Sequence, residues 1–101
     1  MIKHIVMWKL KDFAEGESKA ENARKIKTLL ESLKDKIKEI QHIEVGIDVL
    51  HTDTSADAAL YSVFDSLEDL NAYQKHPEHA KVVQFIRGVS AERRVIDYET
   101  P

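Results

Sequence analysis

Three residues with reactive side chains crowd one short stretch, Tyr73-Gln-Lys-His76-Pro77-Glu-His79. Proline pushes the residue before it out of helical conformation, yet suits the first turn of a new helix. The spacing predicts one helix over 67–75 and a second opening at Pro77, with His76 as its cap rather than a chemical group. His79 then falls in the first turn, where several backbone N–H groups lack partners. The positive end of the helix dipole disfavours imidazolium there, so His79 is expected to be neutral near pH 7. A neutral imidazole can take a proton from an activated carbon. If the kink folds both helices over one sheet, Tyr73 and His79 share a hollow, and the phenol can hydrogen-bond a developing enolate oxygen. A plainer assignment stays open, with His79 bonded to backbone and Tyr73 packed on the sheet.

The elements that must position these groups follow from periodicity. Residues 2–10 read as a strand with Ile2, His4, Val6, Trp8 and Leu10 on one face, and Ile5 and Met7 on the other. His4 is expected to need a buried partner and to line the same hollow as Tyr73. Trp8 is expected in the core, with its indole N–H requiring an acceptor. Residues 11–17 read as a loop, and Ser18 with Glu21 has the spacing of a capping box. From there Ala23, Ile26, Leu30, Leu33, Ile37 and Ile40 form one helical stripe, widened by Leu29, predicting a helix to about residue 38. Residues 42–50 and 58–66 alternate as strands, helices follow over 67–75 and 77–87 with Gly88 just past the end, and 91–99 alternates once more.

The order β-α-β-β-α-β predicts an α+β, ferredoxin-like antiparallel sheet with helices on one face, a single domain over 1–101. The other face would present Ile5, Met7 and the Ile43–Val49 positions. An apolar face of that kind predicts a homodimer formed through the sheet faces. Between sheet and helices, His4, Val6, Trp8, Tyr73, His79, Val83 and Ile86 are expected to line a small, mostly apolar pocket.

Composition narrows the function classes. The 101 residues include 43% hydrophobic and 33% charged, a soluble globular balance, and the formal charge of −3 offers no pull toward nucleic acid. Lysines over 19–38 are interleaved with acids and read as a solvated face. There is no cysteine, hence no thiolate nucleophile or thiolate metal site. His51-x-Asp53 has metal-ligand residue types, but two ligands in a turn do not make a site, so no metal is expected. His42 and His51 flank a strand and are expected on the surface. Arg93 and Arg94 are expected in ion pairs across the sheet or at a dimer seam. No signal peptide or apolar run of about 20 residues occurs, so neither a membrane nor a secretory route is expected, and the cytoplasm is the default location.

His4 in Ile-Lys-His-Ile-Val, the segment Phe64-Asp-Ser-Leu-Glu-Asp-Leu-Asn-Ala-Tyr73, His76-Pro-Glu-His79 and the closing Val95-Ile-Asp-Tyr98 together resemble the stress-responsive dimeric α/β-barrel (Dabb) family. The likeness spans the whole chain, and Tyr-x-x-His-Pro-x-His is its most specific piece. It implies a dimeric ferredoxin-like barrel without a cofactor. Most bacterial members have no established activity. One plant branch closes the ring of a linear polyketide with the tyrosine and last histidine of this motif, which implies Tyr73 and His79 here. The strand-one pocket histidine of the family corresponds to His4. This chain departs from the cyclase-type pocket at Ala58, where that pocket has a histidine, and in an aliphatic first helix with Ile26, Leu29 and Leu30. The expected function is therefore binding of a small apolar or polyketide-like molecule, with cofactor-free cyclase or lyase chemistry in which His79 is the base and Tyr73 the oxyanion partner. The alternative is a non-catalytic stress or assembly protein with a filled pocket, whose dimer is the functional unit.

Overall fold

The computed structural model describes residues 1–101. At its centre lies β1 (Ile2–Leu10), hydrogen-bonded antiparallel to β5 (Ala58–Phe64) on one side and to β6 (Ser90–Glu99) on the other. β4 (His42–Ile47) pairs antiparallel with β5, giving a four-stranded sheet in the order β4-β5-β1-β6. Helices α1 (Lys19–Ser32), α2 (Leu67–Lys75) and α3 (Pro77–Val89) connect the strands in the predicted β-α-β-β-α-β sequence. The fold is ferredoxin-like, α+β, with the helices on one face of an antiparallel sheet.

The alternation in β1 explains why this face forms the core. Ile2, His4, Val6, Trp8 and Leu10 are all buried, and Val6, Trp8 and Leu10 meet Ile26, Leu30 and Leu33 in one apolar cluster. Each such side chain removed from water stabilises the fold by about 1.5–3 kcal/mol. Ser18 caps α1 by accepting from the Glu21 N–H, as its spacing predicts.

Five local readings differ from the structure. α1 stops at Ser32, and a single 3₁₀ turn at Leu33–Asp35 takes over. The apolar stripe survives the change: Ile37 and Ile40 are buried beyond the turn, the Ile37 N–H donating to the Leu33 carbonyl and the Ile40 N–H to that of Ile37. Residues 13–18 form a small hairpin, β2 (Phe13–Ala14) with β3 (Glu17–Ser18), rather than a plain loop. Its turn holds Glu15 and Gly16 at φ 52° and 77°, and the buried Asn22 amide ties it to α1 by donating to the Ala14 carbonyl. Gly88 sits inside α3, and the helix is closed by Ser90 in extended conformation. β4 ends at Ile47, leaving Val49 and Leu50 exposed.

The fifth difference concerns faces. Val45 pairs with Leu60, and Leu60 with Val6, so Ile43, Val45 and Ile47 point to the helix side. The uncovered face instead carries Ile5, Met7, Tyr61, Ile96 and Tyr98, with His42, Glu44 and Gly46 on its β4 flank.

Candidate functional site

The corner between α2 and α3 is built on His76. Its backbone is extended, φ −65° and ψ 135°, as a residue before proline must be, and its Nδ1 accepts from the Glu78 N–H at 3.1 Å. One residue thus closes α2 and caps α3. The corner lays both helices over β1 and β5, and a cavity of about 700 Å³ opens between them and the sheet. His4, Val6 and Trp8 border it from β1, Tyr73 from α2, and His79, Val83 and Ile86 from α3. Leu30 and Leu60 complete its apolar floor, while Gln74, Gln84, Arg87, Ser90 and Arg93 border it as polar groups not anticipated from the sequence.

His79 is half-buried, with its ring centroid 4.4 Å from that of Tyr73. Its Nδ1 lies 3.2 Å from the Gln74 carbonyl oxygen. A carbonyl only accepts, so Nδ1 carries the hydrogen and Nε2 of the neutral ring keeps its lone pair. Burial holds the imidazole below its ordinary pKa; the Gln74 hydrogen bond opposes this, and His4, Arg93 and His76 add to the depression. Desolvation is the leading cause of that depression.

Tyr73 is fully buried against Phe64, with ring centroids 4.9 Å apart. Burial pushes its phenol well above the ordinary value, so it stays protonated and can only donate or accept as O–H. Its hydroxyl has no hydrogen-bond partner, and neither has the buried indole N–H of Trp8. Two polar groups left unpaired in a buried wall each cost about 1–3 kcal/mol. The Tyr73 hydroxyl is closed to solvent, so contact with a ligand atom requires a side-chain movement in the wall.

His4 finds the partner its burial demands. Its Nδ1 lies 2.5 Å from Oδ1 of Asp97, the residue opposite it in the β1–β6 register. Its ring meets Tyr73 edge-on at 6.3 Å. Sequence alternation places Asp97 with Arg93 and Val95 on one face of β6, but only the register brings it across from His4. The remaining histidines lie elsewhere: His42 is exposed beside Glu44, and exposed His51 faces Asp48 rather than Asp53. No three His, Cys, Asp or Glu side chains converge as metal ligands. Neither Arg93 nor Arg94 forms an ion pair within the chain; the Arg94 guanidinium donates only to the Arg93 carbonyl. No helix is long and apolar enough to cross a membrane.

This arrangement sets a neutral base nitrogen beside a neutral phenol at the wall of the hollow. Residues 2–100 match the Stress responsive A/B Barrel Domain family. The chain is 33% identical over 87 residues to a stress-response A/B barrel domain-containing protein of Arabidopsis thaliana, covering 83% of this chain and 30% of that protein. It is 28% identical to a second stress-response A/B barrel domain-containing protein of the same plant, over 97% of this chain and 46% of the relative. It thus spans less than half the length of these curated relatives. Among solved structures, a dimeric protein of unknown function and ferredoxin-like fold from Bacteroides fragilis is 36% identical, with 98% and 95% of the two chains covered and a TM-score of 0.87. A hydroxynitrile lyase from Passiflora edulis shares the fold at 18% identity, with 96% and 90% coverage and a TM-score of 0.79. The chain belongs to the stress-responsive A/B barrel domain family.

Proposed function

We propose that this chain works as a homodimer whose cavity binds a small, largely apolar carbonyl compound and carries out cofactor-free proton transfer on it. The observation that supports this most is the hollow itself, about 700 Å³, bordered by both His79 and Tyr73. That volume lies in the range of small-molecule sites, and its apolar floor with a few polar groups has their usual make-up. In the proposed step, His79 Nε2 takes a proton from the carbon between two carbonyls. The electron pair moves onto the carbonyl oxygen, and the Tyr73 hydroxyl, uncovered by a side-chain movement in the wall, donates to that enolate. The enolate carbon then attacks a remote carbonyl of the same molecule, and the imidazolium returns its proton to the new alkoxide. The Asp97 carboxylate holds the His4 ring against the same wall. The dimer reading has support from the dimeric Bacteroides fragilis relative and from the apolar outer sheet face.

The test is turnover of linear poly-β-keto thioesters, followed by ultraviolet absorbance and mass of ring-closed products. His79→Ala is expected to abolish turnover while shifting thermal unfolding little, since the ring is only half-buried. Wild-type protein that leaves every such substrate unchanged would falsify the catalytic reading. One observation favours a non-catalytic assembly role: the Tyr73 hydroxyl is sealed from solvent. The size of the neighbouring cavity counts against a filled pocket.

A further inference from the structure

The charges around the cavity are one-sided. The chain as a whole carries −3, yet not one of the residues bordering the hollow is an Asp or Glu. Two are arginines, Arg87 on the last turn of α3 and Arg93 on β6. Both are exposed, whereas Val6, Leu30, Leu60 and Ile86 are buried, so the arginines stand at the mouth and the aliphatic groups form the floor. Neither guanidinium meets a carboxylate of this chain. Arg93 lies close enough to help hold down the pKa of His79, so its charge acts within the hollow. Asp97, on the same face of β6 as Arg93, is engaged by His4. Behind the wall, Tyr73 O–H and Trp8 N–H are unpaired donors closed to solvent. A cavity with apolar depth and unpaired guanidinium groups at its rim is complementary to an amphiphilic anion.

We infer that the ligand of this cavity carries a carboxylate, held at the mouth by Arg93 and Arg87, with its apolar body directed toward Val6, Leu60 and Ile86. The inference rests on the cavity being a ligand site, but not on catalysis there. A planar guanidinium matches a carboxylate with two parallel N–H donors, which lysine at the same rim could not offer.

The probes are octanoate and its neutral near-isostere octanamide, titrated calorimetrically into the full chain, with imidazole resonances of His4 and His79 reporting the place of binding. Octanoate is expected to bind at least about tenfold more tightly than octanamide, the size of one charge-assisted hydrogen bond. The difference is expected to shrink as ionic strength rises from about 0.05 to about 0.5 M. In the double variant Arg87→Gln, Arg93→Gln it is expected to vanish while octanamide affinity stays. Equal affinities in the wild type, a preference that survives the double variant, or no binding of either probe would overturn the inference. His79→Ala separates the two claims, because it should remove turnover and keep the octanoate preference. In the wild type, a preference without turnover of any poly-β-keto thioester overturns the catalytic reading alone, and turnover without a preference overturns this inference alone.

Discussion

Tyr73 carries a hydroxyl that the fold has buried without a partner, which is a cost no packing argument explains. Tyr73→Phe separates a working group from a structural one. Stability measured by denaturant is expected to hold or rise by about 1 kcal/mol, since a desolvated, unpaired oxygen is removed. Turnover is expected to fall by about 10²–10³, the usual worth of one donor at a developing oxyanion. Activity equal to wild type would assign the phenol to packing alone. His79 makes a second prediction through pH. Its folded pKa lies below the ordinary histidine value of 6.5, so the unfolded state binds more protons on acidification. Stability therefore has no contribution from this group above the unfolded value and falls as pH drops from there toward the folded pKa. His79→Leu is expected to flatten that acid slope in thermal melts between about pH 7 and 5. For turnover, the acid limb is expected to lie below the free-imidazole value. The nearness of Tyr73 and His79 was legible because Pro77 permits few alternatives at the corner. Asp97 was not, because a side chain's partner across two strands depends on register, and alternation carries none.

Pairing is also what decided the element scale. Alternation sorted residues 42–47 into two sets correctly but could not say which set is buried; the bonds of Val45 to Leu60 and of Leu60 to Val6 decide it. The outer edge of β4 adds a feature invisible in the heptad-like stripe of α1. Glu31 Oε2 accepts from the Val45 N–H at 3.0 Å, and Lys27 Nζ donates to the Val45 carbonyl at 2.7 Å. The helix thereby satisfies one free N–H and one free C=O of an edge strand, the groups that would otherwise recruit another strand. The hydrogen bond from Lys27, then that from Val45, lowers the Glu31 pKa, so its stabilisation is present above the unfolded carboxylate value and lost as pH falls through the folded one. Glu31→Ala is expected to cost about 1 kcal/mol in denaturant unfolding at neutral pH, an amount kept small by the partial exposure of the pair. Gly88 teaches the complementary lesson. Its place near a helix end suggested a left-handed closing residue, but it lies within the helix, where an added Cβ would come 2.6 Å from Glu15 Oε1, the movable tip of an exposed side chain.

At the scale of the whole molecule, the two sides of the sheet have different fates. One holds the core and the hollow; the other leaves Met7, Ile96 and Tyr98 each more than 40% exposed in the isolated chain. Ile5 and Tyr61 lie beside them on the same face, joining them into a contiguous apolar surface across three strands. Scattered exposed apolar residues mean little, but a continuous patch on an otherwise charged chain marks an association site. A two-fold pairing of this face with itself closes it with one operation, and the helix side with its cavity stays outside the seam. Ile96, on the edge strand β6 opposite Ile5, is 57% exposed, so replacing it leaves the monomer's own core intact. Ile96→Glu sets two like charges into a self-pairing surface, where desolvation and repulsion both oppose contact. Sedimentation equilibrium is expected to show wild type as a dimer and the variant as a monomer. The wild-type melting temperature is expected to rise with protein concentration, because dimer formation stabilises only the folded chain, and that dependence should disappear in the variant. A variant that still sediments as a dimer would place the seam on another surface, and the open apolar face would then need a different occupant.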